Sequence, residues 1–132
     1  MYSSKNQMDD EANHEKRILA LERQVALGLW IQSLGQLIEI NGLSGLLQME
    51  EDMDSSGEKT ILAGNWVKFT GILTEALSVS KQIGETDKSK LIKEQEAAIT
   101  GDLLAALGSL IEVFGGVEVL QEEKENITFL VP

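Results

Sequence analysis

One segment is written three times in this chain. The stretches 26–42, 63–78 and 100–115 align when offset by 36 and then 37 residues. Gly28, Gly64 and Gly101 fall together, as do Trp30, Trp66 and Leu103, then Gly35, Gly71 and Gly108, then Leu37, Leu73 and Leu110, and finally Glu39, Glu75 and Glu112. A shared period with shared residue types marks one structural unit used repeatedly. Within the units the glycines recur every seven residues, a spacing that keeps them on one side of an α-helix. Glycine inside a helix costs ~0.5–1 kcal/mol relative to alanine, so Gly28, Gly35, Gly42, Gly64, Gly71, Gly101, Gly108 and Gly115 must be compensated by some contact. With the glycines at heptad position a, Ile31, Ile38, Val67, Leu104 and Ile111 fall at d. Such a seam of small then large residues lets two helix backbones approach closely, and helix packing is the expected role of all eight glycines.

A second apolar ridge widens each stripe: Leu27, Trp30, Leu34 and Leu37 in the first unit, Trp66, Leu73 and Leu77 in the second, Leu103, Leu107, Leu110 and Phe114 in the third. That width predicts a bundle in which each helix has more than one neighbour, with Trp30 and Trp66 as core anchors. The only proline is the last residue, so no interior position breaks a helix in the manner of proline. A first helix is expected from near Glu11 to about Asn41, with Gly42, Ser44 and Gly45 ending or bending it before a further turn through Gln48. The pattern Ser55-Ser56-Gly57-Glu58 reads as a capping box that starts a second helix, running to about Ile83. Gly84 suits a left-handed C-terminal cap, and Thr86 or Asp87 can cap a third helix from Lys88 to about Glu123, loosened at Gly115-Gly116. Links this short favour antiparallel neighbours. The predicted fold is all-α, three long helices in an up-down-up bundle forming a single domain over 1–132, with 1–12 disordered. The apolar end, 127–132, has no predicted place.

Composition narrows the partners. The formal net charge is −11, from 22 acidic and 11 basic residues. A nucleic-acid partner needs a basic face that releases counterions, and an anionic membrane surface attracts basic segments, so both are disfavoured. There is no cysteine, hence no disulfide framework and no thiolate chemistry. The start of the chain, with Asp9, Asp10 and Glu11, lacks the apolar stretch of a signal peptide, so a cytoplasmic location is expected. Glu22, Arg23, Gln32, Gln36 and Glu39 interrupt the longest apolar region, and no transmembrane segment is expected. The sequon Asn126-Ile127-Thr128 then has no secretory context in which to be used.

No motif assembles a reaction centre. The three repeated glutamates fall at heptad position e, where charges flank a buried seam, and an up-down-up order separates Glu75 from the level of Glu39 and Glu112. A carboxylate-bridged metal pair needs Glu-x-x-His from each of two helices. The chain offers one such pair, Glu11 and His14, and His14 is its only histidine. The sharper metal candidate is the acidic link: Asp52, Asp54, Ser56 and Gly57 stand at positions one, three, five and six of a calcium loop. Position twelve, where a bidentate glutamate closes the site, is Ala63, and position eight is Lys59, so a solvated acidic linker is the plainer reading. Neither a glycine-rich phosphate loop nor a nucleophile with a base beside it occurs. No cofactor and no enzymatic activity are expected.

The Gly-x-Trp and Gly-x-Leu units, each with a second glycine seven residues on, resemble a family of small, repetitive bacterial proteins found in bacilli. The resemblance spans the three units, about a third of the chain, and implies a helical fold but no activity and no functional residue. Ser78 in the place of Gly42 and Gly115, and Leu103 in the place of the tryptophans, depart from the pattern. The expected function is that of a non-enzymatic helical interaction or structural protein, partnered by itself in a homo-oligomer or by another helical protein. A membrane-active helical protein is the alternative, and a metal-binding bundle a further one.

Overall fold

The computed structural model describes residues 2–49 and 56–130. They form three α-helices, α1 (Tyr2–Met49), α2 (Ser56–Gln82) and α3 (Lys88–Leu130), and the described residues contain no strand. At 1.5 Å per residue, α2 is ~40 Å long while α1 and α3 reach ~72 and ~65 Å, so both outer helices overhang the central one.

α2 packs against α1 on one side and α3 on the other, while the backbones of α1 and α3 do not come close. The chain therefore forms a layer of three antiparallel helices. Only α2 has two neighbours, which corrects the expectation of a bundle with several neighbours per helix. The consequence is a small core, whose buried apolar side chains are Ala26, Leu29, Ile40, Ile72 and Ala76. A compact chain of 14.5 kDa exposes about 6,900 Å² by the usual size scaling. This one exposes 9836 Å².

The links follow local chemistry. Gly84 has φ +69°, the left-handed conformation expected of a C-terminal cap, and its amide donates to Glu22 Oε2 of α1 at 3.3 Å. Asp87 is the N-cap of α3: its Oδ1 accepts from the amides of Ser89 at 3.0 Å and Lys90 at 3.5 Å. Ser55 of the capping-box pattern lies outside the described residues, as do Asp52 and Asp54. α1 differs from expectation at both ends. It runs unbroken through Gly42, Ser44 and Gly45, and it starts at Tyr2, so residues 2–12 continue the helix with every described side chain there exposed. α3 likewise passes Gly115-Gly116 without interruption. Its last described backbone residue is Leu130.

Candidate assembly interface

α2 and α3 meet glycine on glycine. A Cβ placed on Gly64 would stand 2.7 Å from the carbonyl oxygen of Gly108 and 2.8 Å from the amide nitrogen of Glu112. One placed on Gly71 would stand 2.4 Å from both Gly101 O and Ala105 N. The reverse contacts match: Gly101 faces Gly71 O and Glu75 N, Gly108 faces Gly64 O and Lys68 N, Gly115 faces Gly57 O and Ile61 N, and Gly57 faces Gly115 O and Val119 N. Each glycine thus covers the helical hydrogen bond between the opposing glycine's carbonyl and the amide four residues on. No side chain, not even a methyl group, fits there. The heptad spacing works because seven residues carry each glycine row down the helix by ~10.5 Å while turning it by only ~20°.

α1 and α2 meet through a different face. The buried positions of α1 are Ala26, Leu29, Ser33, Gln36 and Ile40, which lie about 100–160° round the helix from its glycine row. Asn65, Ile72 and Ala76 occupy the corresponding face of α2. Polar groups set this register. Gln36 Nε2 donates to Asn65 Oδ1 in the buried interface, and Asn65 Nδ2 donates to Ile61 O at 2.9 Å. Nearer the other end Trp30 Nε1 donates to Ser80 Oγ at 2.9 Å, and Ser80 Oγ donates to Ala76 O at 2.7 Å. A buried amide pair of this kind penalises every slipped register, in which its donors and acceptors lose their partners. Sequence reading missed Gln36 and Asn65; their only signal was polarity on a face about 100° from the glycines.

The glycine row of α1 is therefore left uncovered. Gly28, Gly35 and Gly42 have nothing within 4 Å of a built Cβ, and Ile31 and Ile38 between them are 60% and 65% exposed. Of the eight predicted seam glycines, Gly64, Gly71, Gly101, Gly108 and Gly115 are in the seam and the three of α1 are not. Gly57, which the sequence pattern places in the acidic link, lies in the seam instead. Trp30 and Trp66 are corrected too: at 40% and 48% exposure they sit at the margin, with Trp66 edge-on to Phe69 of its own helix at 6.1 Å. The second apolar ridge shares this fate, because a layer offers each outer helix one neighbour. Leu27, Leu34, Leu37, Leu103, Leu107, Leu110 and Phe114 are all exposed.

The chemically suggestive residues do not gather. Glu112 Oε2 pairs with Lys68 Nζ at 3.8 Å across the α2–α3 seam, while its Oε1 is buried without a hydrogen bond. Burial raises the Glu112 carboxyl above its ordinary value, the Lys68 charge lowers it in part, and Glu39 raises it again. Burial likewise raises Glu75, with Asp102 adding to the effect. Asp102 of α3 thus bears on Glu75, and Glu39 of α1 on Glu112. His14 and Glu11 lie in the exposed first turns of α1. Ser56 opens α2 and Gly57 is buried against α3, so residues 56–63 form helix and cannot wrap an ion as the second half of a calcium loop. Among the described residues no group of three or more histidine, aspartate or glutamate side chains is arranged to hold a metal ion.

The part of α3 from Lys88 to Glu125 is long and apolar enough to cross a bilayer by length and composition, and little of its apolar stretch is buried. The interruptions noted in the sequence belong to α1; in the repeat of α3 only Asp102 and Glu112 are charged. Compared with protein-family models, with curated proteins and with solved structures, the chain matches none.

Proposed function

We propose that this chain is a non-enzymatic helical assembly protein, built from three copies of one helix-packing unit and working by self-association. The observation that carries the reading is the contrast among the glycine rows: those of α2 and α3 are in backbone contact, whereas Gly28, Gly35 and Gly42 have open space. Three glycines in one helix interior cost ~1.5–3 kcal/mol relative to alanine. In α2 and α3 close approach offsets that cost. In α1 nothing among the described residues does, which supports compensation from outside the chain. The exposed apolar side chains support the same reading: Ile31, Ile38 and Leu46 of α1 are each more than half exposed, and exposed apolar patches mark interaction sites. The net charge of −11 favours a partner without a phosphate backbone, and an assembly working in the aqueous cytoplasm fits it.

The experiment is molar mass in solution, by light scattering behind a sizing column, over a hundredfold range of concentration. A mass of two chains or more is expected. A mass of one chain throughout, near 14.5 kDa, would overturn the reading.

One observation favours a second reading, association with a neutral bilayer: the exposed apolar length of α3. Small residues allow close helix approach inside lipid as well. Flotation with phosphatidylcholine vesicles tests it, and recovery of all the protein in the dense fraction would remove it.

A further inference from the structure

Three like surfaces that pair two at a time leave one over. α2 spends its glycine row on α3 and its second face on α1, so the glycine face of α1 has no partner among the described residues. We propose that this face is covered by the same face of a second copy, antiparallel, with the two-fold axis passing beside Gly35. The proposal rests on the assembly reading above and adds the partner, its orientation and its register.

The seam between α2 and α3 supplies the rule. Its tiers are Gly57 with Gly115, Gly64 with Gly108 and Gly71 with Gly101, each glycine resting on the opposing backbone. Gly28 and Gly42 stand seven residues either side of Gly35. An antiparallel second copy therefore sets Gly28 on Gly42, Gly35 on Gly35 and Gly42 on Gly28, three glycine tiers as in the seam already formed. No other antiparallel register does so. A shift of one heptad puts Leu21 opposite Gly42, where the seam leaves no room for a Cβ, let alone a leucine.

The surroundings agree. Ile31, Ile38 and Leu46 border the row, each between 58% and 65% exposed, and the antiparallel copy brings these apolar rims together. Opposed helix dipoles favour the same orientation. A two-fold contact is self-complementary and closes on itself.

The test combines mass with distance. The native chain has no cysteine, so Gln48→Cys, on the exposed side of α1 away from the row, carries a single spin label. In the proposed register residue 48 of one copy lies level with residue 22 of the other, which places the two labels about 40 Å apart. A parallel pair would hold them within about 20 Å. Gly35→Leu is the companion variant. Its side chain enters open space within one chain, so circular dichroism should be unchanged while the dimer is lost. The expected result is a dimer with the long distance, converted to monomer by Gly35→Leu. An assembly that survives Gly35→Leu, or labels within 20 Å, overturns this interface while leaving self-association standing. A native chain that is monomeric throughout, including one that instead floats with phosphatidylcholine vesicles, overturns both.

Discussion

Gly115 and Gly116 are neighbours on α3, and the same substitution should act on them with opposite sign. A Cβ at Gly116 meets nothing within 4 Å, whereas one at Gly115 meets Gly57 O, Ile61 N and Ile61 Cγ1, each at 2.8 Å. Replacing a mid-helix glycine by alanine gains ~0.8–1 kcal/mol of helix propensity, much of it by restricting the unfolded chain. Both variants receive that gain, so it cancels in their difference. Gly116→Ala should keep it whole, raising stability by about 1 kcal/mol. Gly115→Ala must push α2 and α3 apart by ~0.6 Å to restore ordinary contact, and two of the three atoms are backbone, which no rotamer change can move. Overpacking of a tight interface costs ~1–3 kcal/mol, and the backbone clash puts this case at the upper end, leaving a net loss of about 2 kcal/mol.

Urea unfolding followed by far-ultraviolet circular dichroism, at one protein concentration, separates the two variants. With a slope of ~1–3 kcal/mol per molar urea, a difference of about 3 kcal/mol splits the midpoints by between about 1 and 3 M. The native midpoint should fall between them. Neither residue belongs to the α1 face, so assembly through that face does not enter the comparison. Two midpoints shifted the same way, or lying within the error of one another, would refute the claim that the α2–α3 seam is in backbone contact at Gly115.

Other perturbations follow from the same geometry. Gln36→Leu and Asn65→Leu should each cost about 1–3 kcal/mol by stranding a buried amide, while the double variant recovers most of the loss; a thermal double-mutant cycle measures the coupling, and simple additivity would count against the hydrogen bond. Glu75, whose carboxyl is raised by burial and then by Asp102, carries more protons folded than unfolded just above its ordinary value of 4.5. Its stabilising contribution is therefore present at low pH and is lost as pH rises through the folded value. Glu75→Gln should accordingly stabilise the protein at pH 7 and give no gain at pH 4.5, read from urea midpoints at the two pH values. Asp87→Ala should cost about 1 kcal/mol through loss of the α3 cap, with the thermal midpoint as readout, and Asp87→Asn should restore most of it.

What the sequence made legible was local: helices where periodicity and propensity agreed, a left-handed glycine at Gly84, a capping carboxylate at Asp87, and a row of glycines that demands a backbone rather than a side chain opposite. Each of these is decided by a residue and its near neighbours. The burial of Trp30 and Trp66 was not local, and there the repeat misled. It implied that like positions share like environments, but a glycine row takes one partner, and three rows in one chain cannot all be paired within it. α1 lies on α2 through the Gln36–Asn65 and Trp30–Ser80 hydrogen bonds, while the glycine row of α2 faces α3. The wide apolar stripe, read as evidence for several neighbours within the chain, is largely exposed because α1 and α3 each pack on α2 alone. Of the glycine rows, that of α1 is the one left uncovered among the described residues, and the proposed self-association rests on that surface.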